Sequence, residues 1–578
     1  MGKRKINRGY RPRKRSFHGN QYSDKHEQEA GSDEISGLDD KNRPSTSASK
    51  IKLGPQTSQT EFDTAEELTG FRFVDVQLLI NFVKTLLCSQ CGQPLGENKS
   101  FVTEERSSLA STFTFHCQCQ QKVSFMSSAK CGKTYEVNRR YTLALFAIGR
   151  NYMHGKKFLG NMNMPTGMHK SSWSLHKKKI LHATETVART SMQRVAAEIK
   201  QKKGEAITVS CDGTWQRRGF QSKNGVVTLL TVDGPNSKVL DTAVLSNYCN
   251  PCAKNKKTKT EAEFQAWKLS HAQNCDKNHS GSAGSMEPTG ALEMFRRSEQ
   301  LYGLRYASFL GDGDSKSYTS VANAEPPVYT DVDIAKLECC GHVQKRMGRH
   351  LTNKVNELKK ETFMHNGKSV RGIGGRGCLT KKSILKIQGH YGAAIRRNTN
   401  NVPQMRKEIW AIWQHRNRDH INCGDWCPSK NQPAADPDRN AFPPYVCEAI
   451  RPVFETLTSE TLLSKCAHGG TQNTNESFHN SIWQRCPKTG FVGRPRLTLA
   501  VYDATVVFND GERGRIPIFE NLGMPSGLYT RLCFSELDRT RINSAATKLS
   551  PSVRQARRIV AVMHEKDKED FYLAGAHE

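Results

Sequence analysis

Four acidic residues sit at the ends of apolar runs: Asp212 in Cys211-Asp-Gly-Thr-Trp215, Asp312 and Asp314 in Gly311-Asp-Gly-Asp314, and Glu476 in Thr471-Gln-Asn-Thr-Asn-Glu476. Carboxylates are hard oxygen donors suited to Mg²⁺ or Mn²⁺. A pair of such ions about 4 Å apart stabilises both the attacking and the leaving oxygen of an in-line displacement at phosphorus. Two or three converging acids are the least a protein must supply for that chemistry. Each acid also has a plainer reading, with Asp212 as a strand-end turn residue and Glu476 at capping-box spacing from Asn473. Asp312 and Asp314 are two residues apart and share a strand face, so alternation does not choose between them.

A second group of residues is soft. Cys88-x-x-Cys91 and Cys117-x-Cys119 make two knuckles separated by a hairpin's length, the arrangement of a tetrahedral Zn²⁺ ribbon. The second knuckle is tight, which leaves His116 and Cys131 open as replacement ligands. Cys249-x-x-Cys252 is followed by His271-x-x-x-Cys275 and then His279, with the two histidines competing for one place. His415, His420, Cys423 and Cys427 form a possible third zinc site.

The elements that must carry these groups can be read from periodicity. Ile207, Val209 and Cys211 line one face of a strand that delivers Asp212 at its end. Runs from Val226 to Val232 and Lys238 to Leu245, joined by Asp233-Gly-Pro-Asn236, read as a hairpin. A helical run near Thr289 to Gln300 leads to a fourth strand from Leu304 to Asp314, and Ile334 to Cys339 makes a fifth that ends at His342. Phe478 and Ile482, one turn apart, give the helix carrying Glu476 its buried stripe. Strand-strand-strand-helix-strand-helix-strand is the order of an RNase H-like fold. Its first and fourth strands lie side by side, which makes Asp212 a neighbour of Asp312 and Asp314.

Lysine and arginine number 86 against 56 acids, a formal charge of +30 over 578 residues, and the natural partner of such a chain is a polyanion. No apolar run reaches membrane-spanning length and no apolar signal core opens the chain, so we expect an intracellular protein without a membrane partner. In a reducing compartment its 18 cysteines are thiols and metal ligands rather than disulfides. Lys3-Arg-Lys5 and Arg11-Pro-Arg-Lys-Arg15 are nuclear-localisation-like clusters in a tail too poor in apolar residues to fold.

These blocks are together similar to the eukaryotic Mutator-like transposases of the DDE class. The resemblance rests on Cys211-Asp-Gly-Thr-Trp215, Gly311-Asp-Gly-Asp314, Cys339-x-x-His342, Lys386-Ile-Gln-Gly-His-Tyr-Gly-Ala-Ala-Ile-Arg396, Thr471-Gln-Asn-Thr-Asn-Glu476 and Cys486-Pro-Lys488. It implies catalytic Asp212, Asp312 or Asp314, and Glu476, with the acid directly before glycine favouring Asp312. Cys339 and His342 become auxiliary residues near the site, and His271 is favoured over His279 as zinc ligand. It implies a metal-dependent transposase that hydrolyses phosphodiesters at transposon ends and joins them to target DNA, homo-oligomeric on double-stranded DNA. A catalytically inactive, zinc-dependent DNA-binding derivative is the alternative, and an RNase H-type nuclease without strand transfer leaves the zinc modules unexplained.

The expected fold class is α/β. The expected layout is a disordered basic tail (1–62), a zinc-ribbon-like DNA-binding domain (63–150), a helical connector (151–203), an RNase H-like core (204–345 and 466–522) with a zinc-binding insert (247–287), a helical insertion domain (346–465) and a basic helical C-terminal tail (523–578). Tyr391, Trp410 and Trp413 of the insertion are read as core rather than as platforms for bases.

Overall fold

In the computed structural model, residues 46–54, 69–96, 100–165, 167–217, 221–312, 316–424, 427, 441–553 and 556 are described. The two basic clusters near the N-terminus and Asp314 lie outside them. Everything below belongs to the unit that runs from Asp40 to Glu578.

Strands β1 (Phe101–Ser107), β2 (Ala110–His116) and β3 (Lys122–Met126) form an antiparallel sheet whose inner side chains, Phe113 and Phe115, pack with Cys88 and Cys117. A two-residue pair, β4 (Lys130–Cys131) and β5 (Thr134–Tyr135), leads into helices Glu136–Ala147, Tyr152–Asn161 and Lys170–Lys203. The last, with 34 residues, is capped at its C-terminal end by Gly204 at φ 83°. Its buried positions, among them Ile180, Ala188, Met192 and Val195, run its full length and join three separate apolar clusters.

The central sheet contains β6 (Ala206–Trp215), β7 (Asn224–Thr231), β8 (Val239–Ser246), β9 (Arg305–Gly311) and β10 (Ala335–Glu338) in the spatial order β10-β9-β6-β7-β8. β6, β7 and β8 pair antiparallel, whereas β9 runs parallel to both β6 and β10. The first and fourth strands of the sheet are therefore neighbours, as the element order requires. Ile207, Val209 and Cys211 bury one face of β6 against Met286, Ala291 and Phe295 of helix Met286–Arg296. On the other face Val226, Leu230 and Val239 meet Phe478 and Ile482 of helix Asn473–Arg485 and Leu497 and Val501 of helix Arg494–Asp510.

Three expectations change. Asp212 is not the last residue of its strand: β6 continues to Trp215, held by pairing with Gly225 and by a Trp215 Nε1 bond to the Ala283 carbonyl at 2.8 Å. Inside the expected tail, Ala48–Leu53 is a helix capped by Ser47, and Lys52 lies over the Phe508 ring at 3.7 Å. Its ammonium group is held by this cation–π contact, which composition does not reveal. Among the helices between Cys340 and Ser464 stands a hairpin, β11 (Thr362–His365) and β12 (Lys368–Arg371). Tyr391 and Trp413 in this region are core residues, donating to the carbonyls of Leu457 and Cys447 at 2.9 and 3.0 Å.

The two helices on the far face are locked by buried charge. Asp503 is 6% exposed and accepts from the guanidinium groups of both Arg485 and Arg515, with Arg515 Nε at 2.9 Å. Burial alone would raise the Asp503 carboxyl, but Arg515 and Arg485 hold it below the usual carboxylate range. Its stabilising contribution is thus complete above the unfolded-state value near 4 and is lost as pH falls through the folded one. Asp503→Ala leaves two guanidinium groups buried without their anion and is expected to cost about 3–5 kcal/mol in a denaturant titration at neutral pH. A loss below ~1 kcal/mol would mean that the arginines find other partners.

Candidate active site and metal clusters

β6 pairs with β9 as far as Ser210↔Leu310; Asp212 lies two residues further along β6, and Asp312 directly follows Gly311, the last residue of β9. Asp212 is the deeper of the two, its side chain 27% exposed against 65% for Asp312. Burial, then the negative charge of Glu287, push the Asp212 carboxyl up to about 7; Glu476 and Asp312 add to the effect, and a bond from its own neighbour's Gly213 N–H opposes it. His479 Nδ1 lies 3.6 Å from Asp212, but burial pushes this imidazole down to about 3, so it is neutral and does not balance the charge. Its Nε2 is 2.8 Å from the Thr228 hydroxyl, which fixes the ring.

Glu476 is exposed near the start of helix Asn473–Arg485. Gln472 is the N-cap residue and makes no side-chain cap bond, so no capping box from Asn473 to Glu476 is present. The neighbouring residues fix this helix on the sheet. The fully buried Asn475 accepts from Ser210 Oγ at 2.7 Å and donates to the Ser210 carbonyl at 3.2 Å, and Gln472 Nε2 donates to the Cys211 carbonyl at 2.8 Å. Cys339 at the end of β10 accepts from the Gln472 N–H at 3.3 Å, tying the same turn to the fifth strand. Three residues after Cys339, His342 Nδ1 comes within 3.3 Å of Asp312 Oδ1, and Arg346 reaches the same oxygen at 3.7 Å and Glu338 at 2.8 Å. Cys339 is thus a tether for the segment before Glu476, while His342 faces the second acid.

The donors around Asp212 are hard oxygens, the set that suits Mg²⁺ or Mn²⁺. Two ions about 4 Å apart do not require every carboxylate to converge on one point. A half-buried Asp212 beside other acids, with no Lys or Arg ion pair among the described residues, fits a divalent cation on electrostatic grounds.

Three soft clusters are gathered much more tightly. Cys88, Cys91, Cys117 and Cys119; Cys249, Cys252, His271 and Cys275; and His415, His420, Cys423 and Cys427 each bring four ligand atoms within 4.8 Å of one another. Cys88–Cys119 and Cys91–Cys117 are 3.7 and 3.5 Å apart, close to the roughly 3.8 Å edge of a tetrahedron with Zn–S of about 2.3 Å. Each set can hold a zinc ion. The open choices close here: His116 stacks on Phe101, Cys131 packs in another cluster, and His279 contacts Ser282 and Ser285 instead of the thiols. Arg494 bonds the carbonyls of Cys275 and Asp276, which anchors the middle cluster to the helix behind the sheet.

Glu287, Asn475 and His479 escape a reading by spacing. Asn475 lies inside the block that carries Glu476 and His479 follows on the same helix; both are polar residues on its buried face, and that burial is the signal that marks them. Glu287 is one acid in the first turn of a helix, where acids are ordinary.

No helix among the described residues is long and apolar enough to cross a membrane. A family model described as Mutator-like transposase matches residues 70–427, a span that holds Asp212, Asp312, Cys339, His342 and all three soft clusters but ends before Glu476. No curated protein and no solved structure matches the chain.

Proposed function

Because the chain belongs to the Mutator-like transposase family, we propose that it is a DDE-class DNA transposase acting from an RNase H-like core. The observation that supports this reading is the parallel pairing of β6 with β9, which ends two residues before Asp212 and Asp312, with Glu476 on a helix bonded to β6 through Asn475. Asp212, Asp312 and Glu476 are the ligating acids, and Asp314 remains the alternative to Asp312. A bound pair of Mg²⁺ or Mn²⁺ ions supplies charge stabilisation to the attacking and leaving oxygens. The acids would hold those ions, and through them the scissile phosphate would be oriented, while His479 lies 3.6 Å from Asp212 and His342 3.3 Å from Asp312. Water attacks phosphorus, the P–O3′ bond breaks, and a 3′-hydroxyl and a 5′-phosphate result. That 3′-hydroxyl then attacks a target phosphodiester, forming one P–O bond as another breaks, without net oxidation or reduction. Nuclear localisation through the two N-terminal basic clusters and assembly as a homo-oligomer on DNA complete the proposal.

The test is a duplex carrying the flanking inverted repeats, incubated with the protein and Mg²⁺. Nicks at the repeat ends and joined products are expected. Binding without cutting would instead favour the inactive DNA-binding derivative. With a charge of +30, affinity for the duplex is expected to fall about 10³-fold or more between 50 and 200 mM salt, because neutralised phosphates release counterions. A flat dependence in a gel-shift series would argue against a basic DNA channel.

A further inference from the structure

The face of β6 opposite Asp212 carries Ile207, Val209 and Cys211, and the next position on it is Gly213. Here the apolar row stops and Glu287 takes its place. A Cβ on residue 213 would lie 2.9 Å from Glu287 Cγ and 3.0 Å from its Oε2, so the missing side chain is what lets this carboxylate close on the strand. Glu287 belongs to helix Met286–Arg296, whose Met286, Ala291 and Phe295 are buried in the sheet, so its position is fixed by packing. The buried Ser317 bonds its carboxylate, and Asp312 is near enough to act on it electrostatically. Among the described residues neither Glu287 nor Asp212 has a Lys or Arg ion pair. Negative charge thus approaches the Asp212–Gly213 stretch of β6 from both layers of the fold, Glu476 from one helix layer and Glu287 from the other.

We propose that Glu287 is a fourth metal-ligating carboxylate of this site, admitted by Gly213 and oriented by Ser317. A half-buried carboxylate beside two others costs free energy unless a cation sits among them, and a divalent ion is the cation that oxygen donors select. The proposal rests on the reading of Asp212 as a metal ligand, and the two can fail separately. Gly213 in the Cys-Asp-Gly-Thr-Trp block then serves to give the acid access rather than to make a turn, since it lies inside β6 and its φ is not left-handed.

The experiment compares the full-length parent with Glu287→Gln, Glu287→Asp and Gly213→Ala. Tb³⁺ binding is followed by its luminescence, and the Mg²⁺ dependence of nicking is measured on the same preparations. Glu287→Gln is expected to weaken Tb³⁺ binding about tenfold and to raise the Mg²⁺ needed for half-maximal nicking by a similar factor, leaving duplex affinity unchanged. Gly213→Ala, which pushes the acid back, should move both readouts the same way, and Glu287→Asp should recover part of the loss. Equal Tb³⁺ affinity and Mg²⁺ requirement in parent and Glu287→Gln overturn the role of Glu287 while leaving the transposase reading in place. A parent that binds no Tb³⁺ overturns both. Should Glu287→Gln fold poorly, Glu287→Asp carries the comparison, and parent-like metal binding and Mg²⁺ requirement in Gly213→Ala would also overturn the proposal.

Discussion

Asp212→Ala and Glu476→Ala are each expected to reduce nicking and joining by ~10²-fold or more while leaving DNA affinity intact or slightly higher. Removing one preorganised charged or polar group from a reacting centre costs about 3–4 kcal/mol of transition-state stabilisation, and an acid that also holds a cation costs no less. Affinity should not suffer, because an acid beside phosphate repels it when no cation intervenes. Asp212 is the sharper probe. It is partly buried among other acids, and its alanine variant removes the group pushed up to about 7. In metal-free protein an acid raised in this way opposes folding increasingly from pH 4 to pH 7, so Asp212→Asn should be more heat-stable than the parent at pH 8 and equal to it near pH 4. A cleavage assay beside a gel-shift decides the matter: a variant that cuts and joins like the parent removes that acid from the site. Comparing Asp312→Ala with Asp314→Ala then assigns the second ligand.

Zinc removal is the second large effect. Three four-ligand clusters predict close to three zinc ions per chain, and elemental analysis returning less than one would defeat the assignment. Structural zinc in finger peptides contributes roughly 10–16 kcal/mol of apparent folding free energy, so a chelator or Cys91→Ser should unfold the region around Phe113 and Phe115 outright. Cys252→Ser reaches further. Its cluster lies between β8 and the helix carrying Glu287 and is held by Arg494, so its loss should lower nicking as well as solubility.

The parts of this architecture that follow local rules were legible in the sequence. Ile207, Val209 and Cys211 alternate because a strand has a period of two, and Phe478 and Ile482 repeat because a helix brings i+4 to the same face. Cysteine pairs were legible because a knuckle is a local structure. Glu287 was not, since its role depends on a glycine 74 positions earlier in the chain and on a helix whose own pattern is unremarkable. Asp503 was hidden for the same reason, its partners Arg485 and Arg515 coming from both sides of it in the chain. The helix Ala48–Leu53 was missed because a lysine ammonium over an aromatic ring more than 450 residues away leaves no mark in composition.

The bond between Ser210 and Asn475 spans 265 residues of chain. At 5–20 residues per second a ribosome needs on the order of tens of seconds to pass from one to the other. For the later part of that interval the nascent polypeptide carries Asp212 and Asp312 without the helix that brings Glu476, so the three acids of the proposed site are not yet together. A stop codon between Asp312 and Asn475 has the same result permanently. Gene copies truncated there would encode proteins that retain the first two cysteine clusters but lack the third acid, and on the proposed mechanism they would bind DNA without cutting it.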